Sequence, residues 1–130
     1  MLPLGKLNIR TELKDSPERF TNFTKDEQYF LMTLWSIFRS PLMIGGNMPN
    51  NDEFTTSLIT NEEAIRVNQN TTDNKEICFK NGISIWTAKD KENGKTYKVR
   101  DLWLKSDVAK LADGYEVELA PHGAKLFSLE

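Results

Sequence analysis

The stretch PLMIGG, residues 41–46, constrains this chain more than any other. It is an apolar run bounded by Pro41 on one side and by Gly45 and Gly46 on the other. Such a run reads as a strand buried on both faces, the pattern of a parallel sheet rather than of an alternating hairpin strand. Helical sequence precedes it and follows it, so the local rhythm is α/β. A strand of this kind needs parallel neighbours, and the chain offers only one such strand. The N-terminal half therefore reads as the last piece of a larger parallel sheet or barrel.

The flanking helices carry clear signals. TKDE is a capping box, in which Thr24 caps and Glu27 reaches back. A helix is expected over residues 25–39. Its apolar residues Phe30, Leu31, Leu34, Trp35, Ile37 and Phe38 recur at the helical period and predict one wide buried stripe. Pro41 ends it, because the residue before a proline avoids the helical region. After the strand, DEFTTSLIT is helical, and TNEEAIRVNQ offers a second capping box from Thr60 and Glu63. The first twenty residues read as loop, punctuated by Pro3, Gly5 and Pro17.

The texture changes after Asn70. EICFKNGISIWTAKD holds two β-type runs around Asn81-Gly82, the strongest short hairpin signal. A second turn is expected at Asn93-Gly94. TYKVRDLW, YEVELAP and AKLFSL then read as antiparallel strands, with Tyr115, Val117 and Leu119 on one face and Glu116 and Glu118 on the other. The expected division is residues 1–72, ending an α/β unit, and residues 73–130, all β.

Charge narrows the function classes. The chain has 130 residues with 17 Lys and Arg against 19 Asp and Glu, a net charge of −2, and the two signs are interspersed. Nothing draws it to nucleic acid or to an anionic membrane. No run reaches the roughly 18–20 apolar residues of a membrane helix. MLPLGKLNIR is too short and too polar for a secretory signal. With one Cys and one His, neither an internal disulfide nor an ordinary zinc site is available, and no metal or cofactor is expected.

Several long stretches together resemble one family. MLPLGKLNIR, FTKDEQYFLMTLWSIFRSPLMIGGNMPNNDEFTTSLITNEEAIRVNQN, YKVRDLWLKSDV and ELAPHGAKLFSL are similar to the C-terminal part of α-galactosidases of glycoside hydrolase family 27. The resemblance implies a (β/α)8 barrel followed by an antiparallel β-sandwich. It places Met1 just after a Trp-x-Asp-x-Asp stretch at the end of barrel strand seven. Residues 25–39 correspond to helix seven, 41–46 to strand eight and 52–67 to helix eight. The fold class implied is an α/β remnant, the last strand and two helices of the barrel, followed by a shortened sandwich. The shortening lies between Gly94 and Tyr97, where the family has about two more strands, each commonly ~5–6 residues. The intact parent would hydrolyse terminal α-galactosides with retention and without a metal. Its nucleophile and acid/base aspartates lie upstream of Met1, so this chain alone is expected to be inactive. The compartment is unknown from this chain, and a secreted or periplasmic parent stays open, since any export signal of the parent would lie upstream. The alternative is a non-catalytic β-sandwich module that binds carbohydrate or protein. The exposed barrel remnant predicts self-association.

Individual residues follow from this frame. Barrel enzymes gather their sites at the C-terminal ends of the strands. Met1 and Leu2 on strand seven, and Ile44, Gly45 and Gly46 on strand eight, would line the pocket without doing chemistry, although a plain glycine turn leaving the strand explains Gly45 and Gly46 equally well. Retaining hydrolysis needs two carboxyls about 5–5.5 Å apart. Asp26, Glu27, Asp52, Glu53, Glu62 and Glu63 instead suit helix first turns, and Asp101 and Asp107 a charged surface. His122 sits in a turn, APHG. Trp35, Trp86 and Trp103 suit a core better than a sugar platform, and Cys78 suits a strand filler. Asn22 and Asn70 head glycosylation sequons, the first overlapping a helix cap.

Overall fold

Thr24 holds an extended conformation and starts α1, Lys25–Ile37. The computed structural model describes residues 1–7, 17–91, 98–110 and 116–129. The Thr24 hydroxyl accepts from the Glu27 N–H at 3.2 Å, and Glu27 Oε2 accepts from the Thr24 N–H at 2.8 Å, so the capping box forms. The buried face differs from the expected stripe. Gln28, Met32 and Ser36 turn inward at four-residue spacing with Ile37, while Phe30 and Phe38 stay exposed. The inward line meets Leu2, Leu4 and Leu58, with Tyr29, Leu31 and Trp35 half-buried around them. That cluster covers a narrower arc of the helix than its apolar residues span. Two asparagines satisfy carbonyls at the end of α1: Asn68 donates to Trp35 and Ser40 at 3.1 and 2.9 Å, and Asn74 donates to Ile37 at 2.6 Å.

The apolar run 41–46 does find a parallel neighbour, the chain's own N-terminus. Leu2 and Ile44 form a parallel bridge. Leu2 N–H donates to the Met43 carbonyl at 2.6 Å, and Gly45 N–H donates to the Leu2 carbonyl at 2.8 Å. The expectation of a strand buried on both faces is corrected: the pairing is a single bridge, and Met43 is 62% exposed beside fully buried Leu2. Pairing on one side alone, among the described residues, leaves the other side uncovered.

Two helices follow. α2, Glu53–Ile59, is capped by Asp52, whose Oδ1 accepts from the Thr55 N–H at 2.7 Å. α3, Glu62–Asn70, is capped by Asn61, not by the expected Thr60. Asn61 Oδ1 accepts from Glu63 and Ala64 N–H, while the Thr60 hydroxyl turns back to the Thr56 carbonyl at 2.8 Å.

The strands form two antiparallel sheets. β1, Thr71–Lys80, and β2, Ile83–Asp90, make a hairpin. Asn81 and Gly82 turn it with φ of 53° and 77°, the left-handed pair that an Asn-Gly turn supplies. β3, Lys98–Asp101, lies between β4, Ser106–Lys110, and β5, Phe127–Leu129. Two strand expectations are corrected. TYKVRDLW stops as a strand at Asp101 and turns through residues 102–105, and residues 116–120 of YEVELAP form no strand. β4 was not anticipated from the polar SDVAK. The Asn93-Gly94 turn, Tyr115 and the shortening before Tyr97 lie outside the described residues. Trp103 packs against both core clusters, one around Leu2 and Met32, the other of Ala64, Leu102 and Leu126. It joins the helical part to the three-stranded sheet.

Candidate functional site

The five residues singled out at the strand ends come together. Parallel pairing sets Leu2 beside Ile44, with Met1 one residue before the bridge and Gly45 one residue after it, and the Met1 side chain spans that step to reach Gly45. A Cβ on Gly45 would lie 2.8 Å from Met1 Cγ, so the bare glycine makes room for the Met1 side chain. A Cβ on Gly46 would lie 2.6 Å from the Leu4 carbonyl oxygen and 3.0 Å from that of Lys6. Backbone therefore passes where any side chain at 46 would begin. Asn47 N–H continues the contact, donating to the Lys6 carbonyl at 2.7 Å. Met1 is 82% exposed above buried Leu2. The lip is apolar and shaped by backbone. None of the five side chains, of Met1, Leu2, Ile44, Gly45 and Gly46, carries a titratable group.

Several described carboxylates elsewhere are committed to structure. Hydrogen bonds from Thr24, then the His122 ring at 3.1 Å, hold the Glu27 carboxyl below its ordinary range. Asp52 is held low by its bonds to Thr55. Glu63 takes a two-pronged contact from Arg100 at 2.7 and 2.9 Å, and Asp107 joins at 3.2 Å. Asp101 is buried, and its Oδ1 accepts from Trp103 and Leu104 N–H at 2.9 and 3.0 Å. Sequence placed Asp101 on a charged surface; the structure makes it the organiser of the turn that presents Trp103. Among the described residues, no group of three or more His, Cys, Asp or Glu is placed to hold a metal. Cys78 is exposed on the hairpin rather than filling a core.

A cleft of about 510 Å³ lies away from the lip, between the start of α1, the turn at Trp103 and the loop of residues 118–125. Trp103 donates its Nε1–H to Thr33 at 3.0 Å and packs on Tyr29, 5.1 Å between ring centroids. Trp86 packs on Phe38 at 4.5 Å. Both rings are used for packing, as the sequence suggested. Sequence reasoning missed Asn61, whose role depends on Leu102, and the polar side chain of Asn51, whose Nδ2 and Oδ1 are buried without a partner close to Gly5.

Comparison with known proteins fits this geometry. Residues 58–129 match the family described as "Alpha galactosidase C-terminal beta sandwich domain". The α-galactosidase of Cyamopsis tetragonoloba is 23% identical over 135 residues, covering 82% of this chain and 33% of the relative. The probable α-galactosidase A of Aspergillus niger is 28% identical over 136 residues, covering 82% and 25%. Among solved structures, a GH27 β-L-arabinopyranosidase from Geobacillus stearothermophilus superposes with a TM-score of 0.85 at 37% identity, covering 98% of this chain and 35% of that one. A putative α-N-acetylgalactosaminidase from Bacillus halodurans gives 0.87 at 32% identity, covering 98% and 37%. The chain thus spans a quarter to about a third of the curated relatives it matches.

Proposed function

The chain belongs to the family of α-galactosidase C-terminal β-sandwich domains and corresponds to the C-terminal part of glycoside hydrolase family 27 proteins; on that premise we propose that it closes the barrel of a retaining α-galactosidase. The observation that carries this reading is the parallel Leu2–Ile44 bridge ending in Gly45 and Gly46. It is a barrel-type strand pair with an open lip at its C-terminal end, where such enzymes bind substrate. Met1, Gly45 and Gly46 border the sugar pocket, whereas Leu2, fully buried with Met32 and Leu58, and Ile44, packed on that cluster, support it from behind, which revises the lining role expected of those two. The nucleophile and the acid/base are supplied by upstream strands and form and break the covalent glycosyl intermediate. Among the described residues, Glu27 and Asp52 cap helices and Glu63, Asp90, Asp101 and Asp107 hold ion pairs, which supports the reading that the chain alone does not turn over glycosides.

A chimera tests this role. These residues replace the matching C-terminal part of the Geobacillus enzyme, which they cover at 37% identity. Hydrolysis of an aryl glycoside by the folded chimera is expected, with KM raised by Gly45→Leu. A folded chimera that binds and cleaves nothing contradicts the reading.

One observation favours an interaction module as a second reading. The hairpin exposes Ile77, Phe79, Ile83 and Ile85, whereas its Trp86 ring packs on Phe38.

A further inference from the structure

The hairpin has two edges, and they are built differently. β1 carries the surplus residues of both bulges, between Thr72 and Lys75 and between Glu76 and Cys78. It also carries Lys75, Glu76 and Lys80. Bulges and charges are the usual protection of an exposed edge. β2 has neither along ISIWTA, residues 83–88, which is uncharged, free of Pro and Gly, and rich in β-forming residues. Ile83 and Ile85 are 50% and 47% exposed. Among the described residues, β1 is the one strand paired with β2.

We propose that the outer edge of β2 is a self-association surface, on which a second copy of this chain pairs its own β2 antiparallel about Ile85. The register follows from the turn. Lys80 and Ile83 flank a two-residue turn and form its hydrogen-bonded pair. Alternation then directs the peptide groups of Ile83 and Ile85 toward β1 and those of Ser84 and Trp86 outward. A two-fold axis at Ile85 sets Ser84 opposite Trp86 of the second copy, and each such pair exchanges two backbone hydrogen bonds. The far half of β2 is taken by the helices. Asp90 pairs with Arg66 of α3 at 3.0 Å, and the Trp86 ring packs on Phe38 while its peptide group stays on the outer edge. Pairing is therefore confined to the turn-proximal half. In that register no like charges oppose one another: residues 83–87 are uncharged, and Lys89 falls opposite Asn81. Ile83, Ile85 and Cys78 share a face, so two copies join their apolar faces into one. A second copy fits because its edge repeats the same unprotected segment and the same spacing.

Site-directed cross-linking tests the pairing. In a Cys78→Ser background, Ile85→Cys places two thiols in a non-hydrogen-bonded pair. There the Cα atoms are about 4.5 Å apart, within disulfide reach. Ile83→Cys places them roughly 13 Å apart along the strands, out of reach. Under mild oxidation, Ile85→Cys is expected to give about tenfold more linked dimer than Ile83→Cys. Light scattering should show a dimer for the unmodified chain and a monomer for Ile85→Lys, with the melting of the monomeric fold unchanged. A monomer at all concentrations without cross-linking, equal cross-linking at both positions, or a dimer that survives Ile85→Lys would each overturn the proposal.

Discussion

Asn61 and Leu102 are joined by a 2.8 Å hydrogen bond across 41 residues of sequence, from the Asn61 amide to the Leu102 carbonyl. The same side chain caps α3 through its oxygen. One buried amide therefore starts a helix and fixes the turn that carries Trp103. Asn61→Ala should lose the cap and strand a buried carbonyl, a cost of about 2–3 kcal/mol in denaturant titration. Asn61→Ser keeps a cap acceptor and should recover about 1 kcal/mol of that loss. Equal stability of the two variants would show that the Leu102 contact carries the whole effect.

Trp103 should behave as the joint between the two clusters. Trp103→Ala removes packing from both and should cost about 3 kcal/mol. Trp103→Phe keeps most of that packing and loses the bond to Thr33, a cost of about 1 kcal/mol. A Trp103→Ala variant within 0.5 kcal/mol of the parent, at the level of a neutral surface change, would remove the joint from the account.

The two glycines of the lip should part company. Gly46→Ala meets the Leu4 carbonyl at 2.6 Å, and backbone yields little, so about 1–3 kcal/mol is expected. Gly45→Ala meets the Met1 side chain, which can swing into solvent, so its effect on stability should be within about 0.5 kcal/mol. Thermal melts of both variants check the contrast, and a greater loss from Gly45→Ala would reverse the assignment.

Acid should loosen the helix starts. Glu27 and Asp52 are both held below their ordinary values of 4.5 and 3.8, Glu27 first by its bonds to Thr24 and Asp52 first by its bonds to Thr55. A lowered carboxyl contributes stability that is present above its unfolded value and is lost as pH falls through the folded one. Stability should be flat on this account above about pH 5 and should decline below about pH 4. Helical circular dichroism in fixed urea, against pH, measures it. Asp52→Asn should flatten part of the acid limb, and an unchanged limb would exclude Asp52 from it.

Local signals were legible where the structure uses local chemistry. Thr24 with Glu27 and Asn81 with Gly82 are close in sequence and need no distant partner, and both formed as read. The choice between Thr60 and Asn61 was not local, because Leu102 decides it. The period of α1 was visible, but which residues face inward depends on how much of the helix Leu2, Leu4 and Leu58 can cover. β4 was hidden because SDVAK lacks an apolar alternation and owes its place to β3. At the lip, the residues were chosen from strand-end position alone, and the close approach of Gly45 to Met1 and of Gly46 to Leu4 depends on contacts that sequence does not show.

The central claim is that this chain shapes a sugar pocket without supplying its chemistry. The most direct measurement is hydrolysis of p-nitrophenyl α-galactoside by the purified 130-residue chain at high concentration. The account predicts no release of p-nitrophenol above the uncatalysed rate. Turnover that survives repurification and is abolished by substituting a pair of this chain's own carboxylates would contradict it.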